Sequence, residues 1–256
     1  MAQRISIYYI VVEAVAKIEK PDYGLDAPGM VKGIAALGTI ALVIGFGVRL
    51  PESLWWLFGL FIALRWCGIF CAIEAGLMLY SSYAGKLRER DRLIESIPWR
   101  GDEQVLDAGC GRGLLLIAAA KRLTSGKAVG IDSWRSSDLT DNWAEATLDN
   151  ARLEGVGDRV EVHTGDAREM PFENESFDVV LSSLALHNIP KAPERSRAIE
   201  EIARVLKPGG CVVILDLIGT TGQYGSVMKD AGLRDVTYSG LRFRIFPPAR
   251  ILRAKK

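Results

Sequence analysis

The sequence predicts an α/β fold: a Rossmann-like, seven-stranded, mostly parallel sheet with helices on both faces, preceded by an α-helical membrane hairpin. Three observations carry this. From Arg88 onward, short apolar strand signals alternate with helix signals, which implies βαβ units and a parallel sheet. A glycine-rich loop, Asp107-Ala-Gly-Cys-Gly-Arg-Gly113, directly follows the first of those strands. Two apolar runs of membrane-spanning length fill residues 31–80. The expected division is an N-terminal amphipathic helix and connector (1–30), a two-helix transmembrane hairpin (31–80) and an α/β domain (81–256).

The first apolar run, Val31 to Leu50, carries Lys32 and Arg49 at its ends, where basic side chains can snorkel to headgroups. Pro51-Glu-Ser53 makes a tight turn. The second run, Leu54 to Tyr80, opens with Trp55 and Trp56, residues that favour a membrane interface, and closes on Tyr80. Arg65 and Glu74 lie inside it, nine residues apart and so too far for a one-turn pair. Charges at membrane depth need a partner or a polar cavity. A buried soluble cap is the alternative to insertion. Lys17, Lys20 and Lys32 precede the hairpin and Lys86, Arg88, Arg90 and Arg92 follow it. The positive-inside rule then places both ends in the cytoplasm. The expectation is a multi-pass protein of the cell membrane, its N-terminus and α/β domain cytoplasmic, with pairing of two copies through the hairpin as an option. Ile5 to Ile18 reads either as a helix lying on the membrane surface or as one packed on the α/β domain. Pro21 to Gly29 reads as a turn-rich linker, with Tyr23 and two aspartates able to approach the site.

Composition excludes several classes. The net charge of +1, from 32 basic and 31 acidic side chains, gives no reason to expect a nucleic-acid partner. Two histidines and four cysteines without zinc-like spacing suggest neither a metal site nor a disulfide framework.

In the α/β part, strands are expected at Gln104–Asp107, Ala128–Asp132, Arg159–Thr164, Phe177–Ser182, Cys211–Leu217, around Val236–Phe246 and at Arg250–Ala254. Helices are expected at 88–97, 113–123, 144–153, 195–205 and 224–231. Gly109, Gly111 and Gly113 remove side chains where backbone must turn and approach a ligand. A helix start follows, with free amides. Alone this loop fits a nicotinamide site equally well. Asp132 ends the next strand, where a carboxylate can accept both ribose hydroxyls. Gly165-Asp166-Ala167 ends the third, with a carboxylate suited to an adenine amine. Leu206-Lys-Pro-Gly-Gly210 closes a helix and turns into a strand.

Taken in order, Val105–Gly113, Gly130-Ile-Asp132, Gly165–Phe172 with Phe177-Asp178, and Leu206–Gly210 resemble a class I S-adenosylmethionine-dependent methyltransferase over residues 88–254. The resemblance implies S-adenosyl-L-methionine as cofactor. Asp107, Gly109, Gly111 and Gly113 would hold its methionine part, Asp132 the ribose, and Asp166 and Ala167 the adenine, with Cys110 and Ser133 also in the cofactor site. Ser182 would border the sulfonium. His187, in Leu186-His-Asn-Ile189, is the candidate catalytic base, with a structural hydrogen-bonding role as the alternative. A departure from the family pattern is the stretch Ser133–Trp143, an inserted loop whose two tryptophans could cover adenine or wall the substrate pocket. The linking segment Tyr80–Lys86 could form a lid.

The implied activity is methyl transfer to a small, hydrophobic acceptor: a lipid, a quinone-like molecule, a phenol or a thiol. A non-catalytic cofactor-binding membrane sensor or scaffold, and a nicotinamide oxidoreductase, are the alternatives. Arsenite methylation is disfavoured, because two cysteines lie in the hairpin and one in the loop. Protein and nucleic-acid methylation lack an Asn-Pro-Pro-Tyr-like tetrapeptide and a basic patch.

Overall fold

A computed structural model describes residues 20–49 and 51–256. The expected helix at 5–18 lies outside them. The hairpin is formed by α1 (Pro28–Gly47) and α2 (Phe58–Tyr80), joined through a 3₁₀ turn at Glu52–Leu57 that contains Trp55 and Trp56. Proline at the first position, where no amide partner is needed, starts α1. The helices meet through small residues. A Cβ on Gly38 would lie 2.8 Å from Cys71 Cβ, and one on Gly68 2.5 Å from Leu42 Cγ. Arg65 is accounted for: its Nε donates to Gly45 O at 2.7 Å and its guanidinium stacks 4.8 Å from the Phe46 ring. It therefore caps the negative end of α1. Only 22% and 17% of the two apolar windows are buried. The rest of the hairpin presents leucines, isoleucines, phenylalanines and tryptophans outward, far more than a soluble surface carries.

α2 does not end before the α/β domain. It passes through one π-helical turn, Ser81–Gly85, into α3 (Lys86–Glu95), so the expected boundary at 80/81 lies inside one continuous helical rod. The domain follows as β1 (Gln104–Ala108), α4 (Leu114–Ala120), β2 (Lys127–Asp132), α5 (Ala144–Leu153), β3 (Val160–Thr164), β4 (Phe177–Ser183), α6 (Ala192–Val205), β5 (Leu206–Leu217), α7 (Ile218–Asp230), β6 (Arg234–Tyr238) and β7 (Ala249–Lys255). The sheet order is β3-β2-β1-β4-β5-β7-β6, with β7 antiparallel to both neighbours. Seven strands, mostly parallel, match the expectation. The order reverses between β1 and β4, which opens a crevice at their carboxyl ends.

Several expected boundaries change. Strand β5 starts five residues before Cys211, at Leu206. Helix α7 starts six residues before Tyr224. The strand expected to reach Phe246 stops at Tyr238, because Gly240, Pro247 and Pro248 turn residues 239–248 into a loop. Two apolar layers flank the sheet, with Leu93, Leu116 and Leu181 in one and Leu106, Ile199 and Tyr224 in the other.

Residues 239–248 pack on the helical rod so closely that a Cβ on Gly85 would lie 1.8 Å from Arg244 O. Backbone cannot yield there as a side chain can. Gly85→Val should cost at least about 1–3 kcal/mol, read as a melting temperature lower by roughly 2–10 °C in detergent. An unchanged melting temperature would mean that the loop does not sit there.

Candidate active site

The site is built where β1 runs into α4. Gly109, Gly111 and Gly113 have φ of 78°, 49° and 86°, which an L side chain rarely adopts. A Cβ on Gly109 would also meet Ala185 Cβ at 2.3 Å. The loop is held by the Gly109 amide on Ile131 O (2.8 Å), Thr147 Oγ1 on Gly111 O (2.6 Å) and Asn150 Nδ2 on Arg112 O (2.9 Å). Before it, a cavity of about 1030 Å³, counting its open mouth, is lined by Gly109, Cys110, Gly111, Asp132, Ser133, Asp166 and Ala167. Seven of the ten expected cofactor residues thus share one wall.

The other three do not line the cavity. Gly113 turns the chain into α4. Asp107 lies behind the loop, 1% exposed, its Oδ2 accepting the Leu116 amide at 2.9 Å; Oδ1 has no partner. Burial pushes its pKa up to about 7, against the lowering effect of that amide. Ser182 is also corrected: it is buried between strands and donates to Ala108 O at 2.7 Å, while its neighbour Ser183 faces the cavity with an unpartnered Oγ.

Asp132 accepts the Gly111 amide (2.8 Å) on one oxygen and the Trp134 amide (2.7 Å) on the other, which fixes both along the cavity wall with lone pairs to spare. Asp166 is gripped by Arg168 Nε at 2.9 Å, and these hydrogen bonds hold its carboxyl below the usual range. Burial pushes the Cys110 thiol well up, so it is an inert wall residue.

The inserted loop 133–143 does wall the cavity, through Arg135, Asp138, Leu139 and Asn142 rather than its tryptophans. Trp134 instead donates to Thr164 Oγ1 at 2.8 Å, and Trp143 sits half-exposed ahead of α5. Asn142 is 5% exposed, donates to Asp132 Oδ1 at 3.3 Å and keeps an unpartnered Oδ1.

The connector is not a free linker. Tyr23 and Asp26 line the cavity, and so does Lys86. The Lys86 ammonium donates to Tyr23 O (2.8 Å), Gly24 O (2.7 Å) and both Asp26 oxygens (3.2 Å). Burial pushes its pKa down, against the pull of Asp26.

His187 lies on the 3₁₀ turn after β4; its neighbours Leu186 and Asn188 line the cavity and His187 itself does not. Its Nδ1 is 2.6 Å from Asp216 Oδ1 and its amide donates to Oδ2 at 3.0 Å. Asp216 is wholly buried and also accepts the Tyr224 hydroxyl at 2.9 Å. Burial of the imidazole works toward a lower pKa, but the Asp216 hydrogen bond and charge outweigh it and raise the value above the ordinary one. Sequence reasoning missed Asp216 and Tyr224. The available signal was a lone aspartate ending the apolar strand Val212-Val-Ile-Leu-Asp216, the position that singled out Asp107 and Asp132.

Residues 106–214 match the methyltransferase domain family. Its cofactor is S-adenosyl-L-methionine, and the residues fit: a glycine cradle that a Cβ would fill, and orphaned polar atoms of Ser183 and Asn142 on the wall. Among curated relatives, a demethylmenaquinone methyltransferase from Staphylococcus aureus is 37% identical over 128 residues, 50% of this chain and 48% of the relative. A 27-O-demethylrifamycin SV methyltransferase from Amycolatopsis mediterranei is 34% identical over 131 residues, covering 51% and 44%. The chain thus spans about half the length of these relatives. An S-adenosylmethionine-dependent methyltransferase of Aquifex aeolicus shares the fold at TM-score 0.53 and 19% identity, over 66% of this chain and 90% of that one. So does the [4+2]-cyclase SpnF, at 0.55 and 21% identity, over 66% and 81%.

The His187–Asp216 geometry sets a titration. The chain holds two histidines, so His163→Gln leaves a single imidazole signal by NMR. That signal should titrate above the ordinary histidine value and fall toward it in Asp216→Asn. The sign follows from the raised folded-state pKa: the stabilisation is complete below the ordinary value and is lost as pH rises through the raised one. A signal at or below the ordinary value in the parent would contradict the pairing.

Proposed function

We propose that this protein is a membrane-anchored S-adenosylmethionine-dependent methyltransferase acting on a small hydrophobic acceptor, quinone-like, phenolic, thiol-bearing or lipid, that arrives from the bilayer. The observation that carries this reading is a shared wall: Lys86, just past the second apolar helix, and Asp26, just before the first, line the same cavity as Gly109–Gly111 and Asp132. An apolar hairpin with only 22% and 17% of its two apolar windows buried supports insertion of residues 31–80. Three of the cations behind the topology are paired with carboxylates: Lys86 with Asp26, Arg90 with Asp91 and Arg92 with Glu89. Arg88 and Lys32 still favour cytoplasmic ends.

In this reading Gly109, Cys110 and Gly111 cradle the methionine part of the cofactor, with Asp107 and Gly113 shaping the turn behind them. Asp132 and Ser133 take the ribose, and Asp166 and Ala167 the adenine. The cofactor supplies an electrophilic methyl group on a sulfonium. The protein's share is alignment and proton removal. Nδ1–H of neutral His187 donates to Asp216, which leaves Nε2 with its lone pair to take a proton from an acceptor hydroxyl or thiol. Asp216, itself held by Tyr224, orients the ring.

Three measurements test this. Asp132→Ala should weaken S-adenosylhomocysteine binding by calorimetry at least about tenfold, since a charge-assisted hydrogen bond contributes about 1.5–3 kcal/mol; equal affinity removes Asp132 from the site, and NADH binding by the parent would favour an oxidoreductase. His187→Ala should lower kcat by about 10²–10⁴ with cofactor affinity unchanged, and kcat/KM of the parent should rise with pH as the imidazole loses its proton. A flat profile and full kcat would leave His187 purely structural. Mass spectrometry of membrane extracts after incubation with deuteromethyl cofactor should reveal a labelled apolar product; label confined to water-soluble compounds would overturn the acceptor class.

A further inference from the structure

We infer that the loop 239–248 is a second membrane contact, an interfacial finger that seats the domain against the bilayer beside the hairpin. This rests on the membrane reading of residues 31–80. The loop is closed by the Arg242–Ala249 bridge and anchored by Ile245, which is 1% exposed. Its tip turns Phe243 outward, 74% exposed, with Leu241 beside it. Among the described residues of the α/β domain outside the helical rod, no other aromatic ring is as exposed.

Its height relative to the bilayer is set by the helical rod. The Phe246 amide donates to Ser81 Oγ at 3.1 Å, and Arg244 O packs on Gly85. Ser81 is the first residue after the apolar run, and Gly85 the fifth. At about 1.5 Å per residue these two backbone contacts lie within about 8 Å of Tyr80 along the rod, while the Arg242 and Arg244 side chains reach on to Glu89, about 14 Å beyond it. The headgroup layer is itself about 5–8 Å deep. The rod presents Tyr80 and Tyr83, 42% and 59% exposed, at the same level. Aromatic rings flanked by guanidinium groups suit that layer. Arg242 and Arg244 flank Phe243; the two share one carboxylate, Glu89, at 3.7 and 3.3 Å, so the cluster keeps a net positive charge toward lipid phosphate. The occupant is therefore an anionic bilayer surface. The loop also sits at the carboxyl edge of the sheet, because antiparallel β7 starts opposite Leu217, the end of β5. Seating this edge on the lipid turns the cavity mouth toward the source of an apolar acceptor.

The test uses the full chain in vesicles of phosphatidylglycerol and phosphatidylethanolamine, with p-benzoylphenylalanine introduced at Phe243, at Phe70 in the hairpin or at Leu153, an exposed residue at the opposite edge. Lipid adducts are read by mass spectrometry. Adducts at 243 and 70 but not at 153 are expected. An adduct at 70 without one at 243 overturns this inference and leaves the anchor standing. Adducts at neither overturn both, and equal adducts at 153 and 243 show non-selective contact and overturn the loop's role. An adduct at 243 alone supports the loop contact while removing the transmembrane span.

Discussion

The ammonium group of Lys86 is 2% exposed, and the arrangement of the site depends on how that charge is satisfied. An uncompensated buried ion costs several kcal/mol. Here the compensation comes from two carbonyls and a carboxylate, all from the connector that leads into α1. Ser82, one turn earlier, donates to the same carboxylate at 2.8 Å. The two ends of the hairpin are thereby locked to each other just outside the apolar run. Removing Asp26 strands a buried ammonium, which is why its loss costs more than that of a partner in an exposed ion pair.

The connector passes that constraint on to the cofactor loop. Asn150 bonds the backbone of Asp22 at both ends of its amide and also donates to Arg112 O. Arg112 reaches back to Asp22 O at 2.7 Å. On the other side, Thr140 and Leu25 exchange hydrogen bonds, and the Ala27 amide donates to Asp138 O at 2.8 Å. Hairpin, inserted loop and glycine cradle are one hydrogen-bonded unit. The connector is therefore tied to the backbone of Arg112, next to Gly111, through the buried Asn150.

The sheet, its strand sequence and most of the cavity wall were legible because they rest on local signals: short apolar runs, glycines at obligatory turns, aspartates at strand ends. What was not legible depends on pairings far apart in sequence. Asn150 with Asp22, Lys86 with Tyr23 and Asp216 with His187 leave no periodic trace. Ser182 shows a different limit. The strand and its end were located correctly, but successive side chains on a strand point to opposite faces, so an error of one residue exchanged the buried hydroxyl for the one on the wall. The tryptophans of the insertion show a third. Size and aromaticity suggested a ligand contact, whereas a single indole hydrogen bond to Thr164 turned Trp134 away and left the wall to Leu139 and Asn142.

The same logic explains how an apolar hairpin can carry charge. Arg65 would be costly at membrane depth if it faced lipid. It faces the last turn of α1, whose carbonyls have no partner within the helix, and the close approach needed for this exists because Gly45 lacks a side chain: a Cβ there would lie 2.9 Å from Arg65 Cγ. The guanidinium thus satisfies an acceptor that an apolar surrounding could not. The glycines along the helix contact and the half-buried arginine are therefore one device. It fixes the register of α1 against α2, and through Lys86 and Asp26 that register sets where the cavity wall stands.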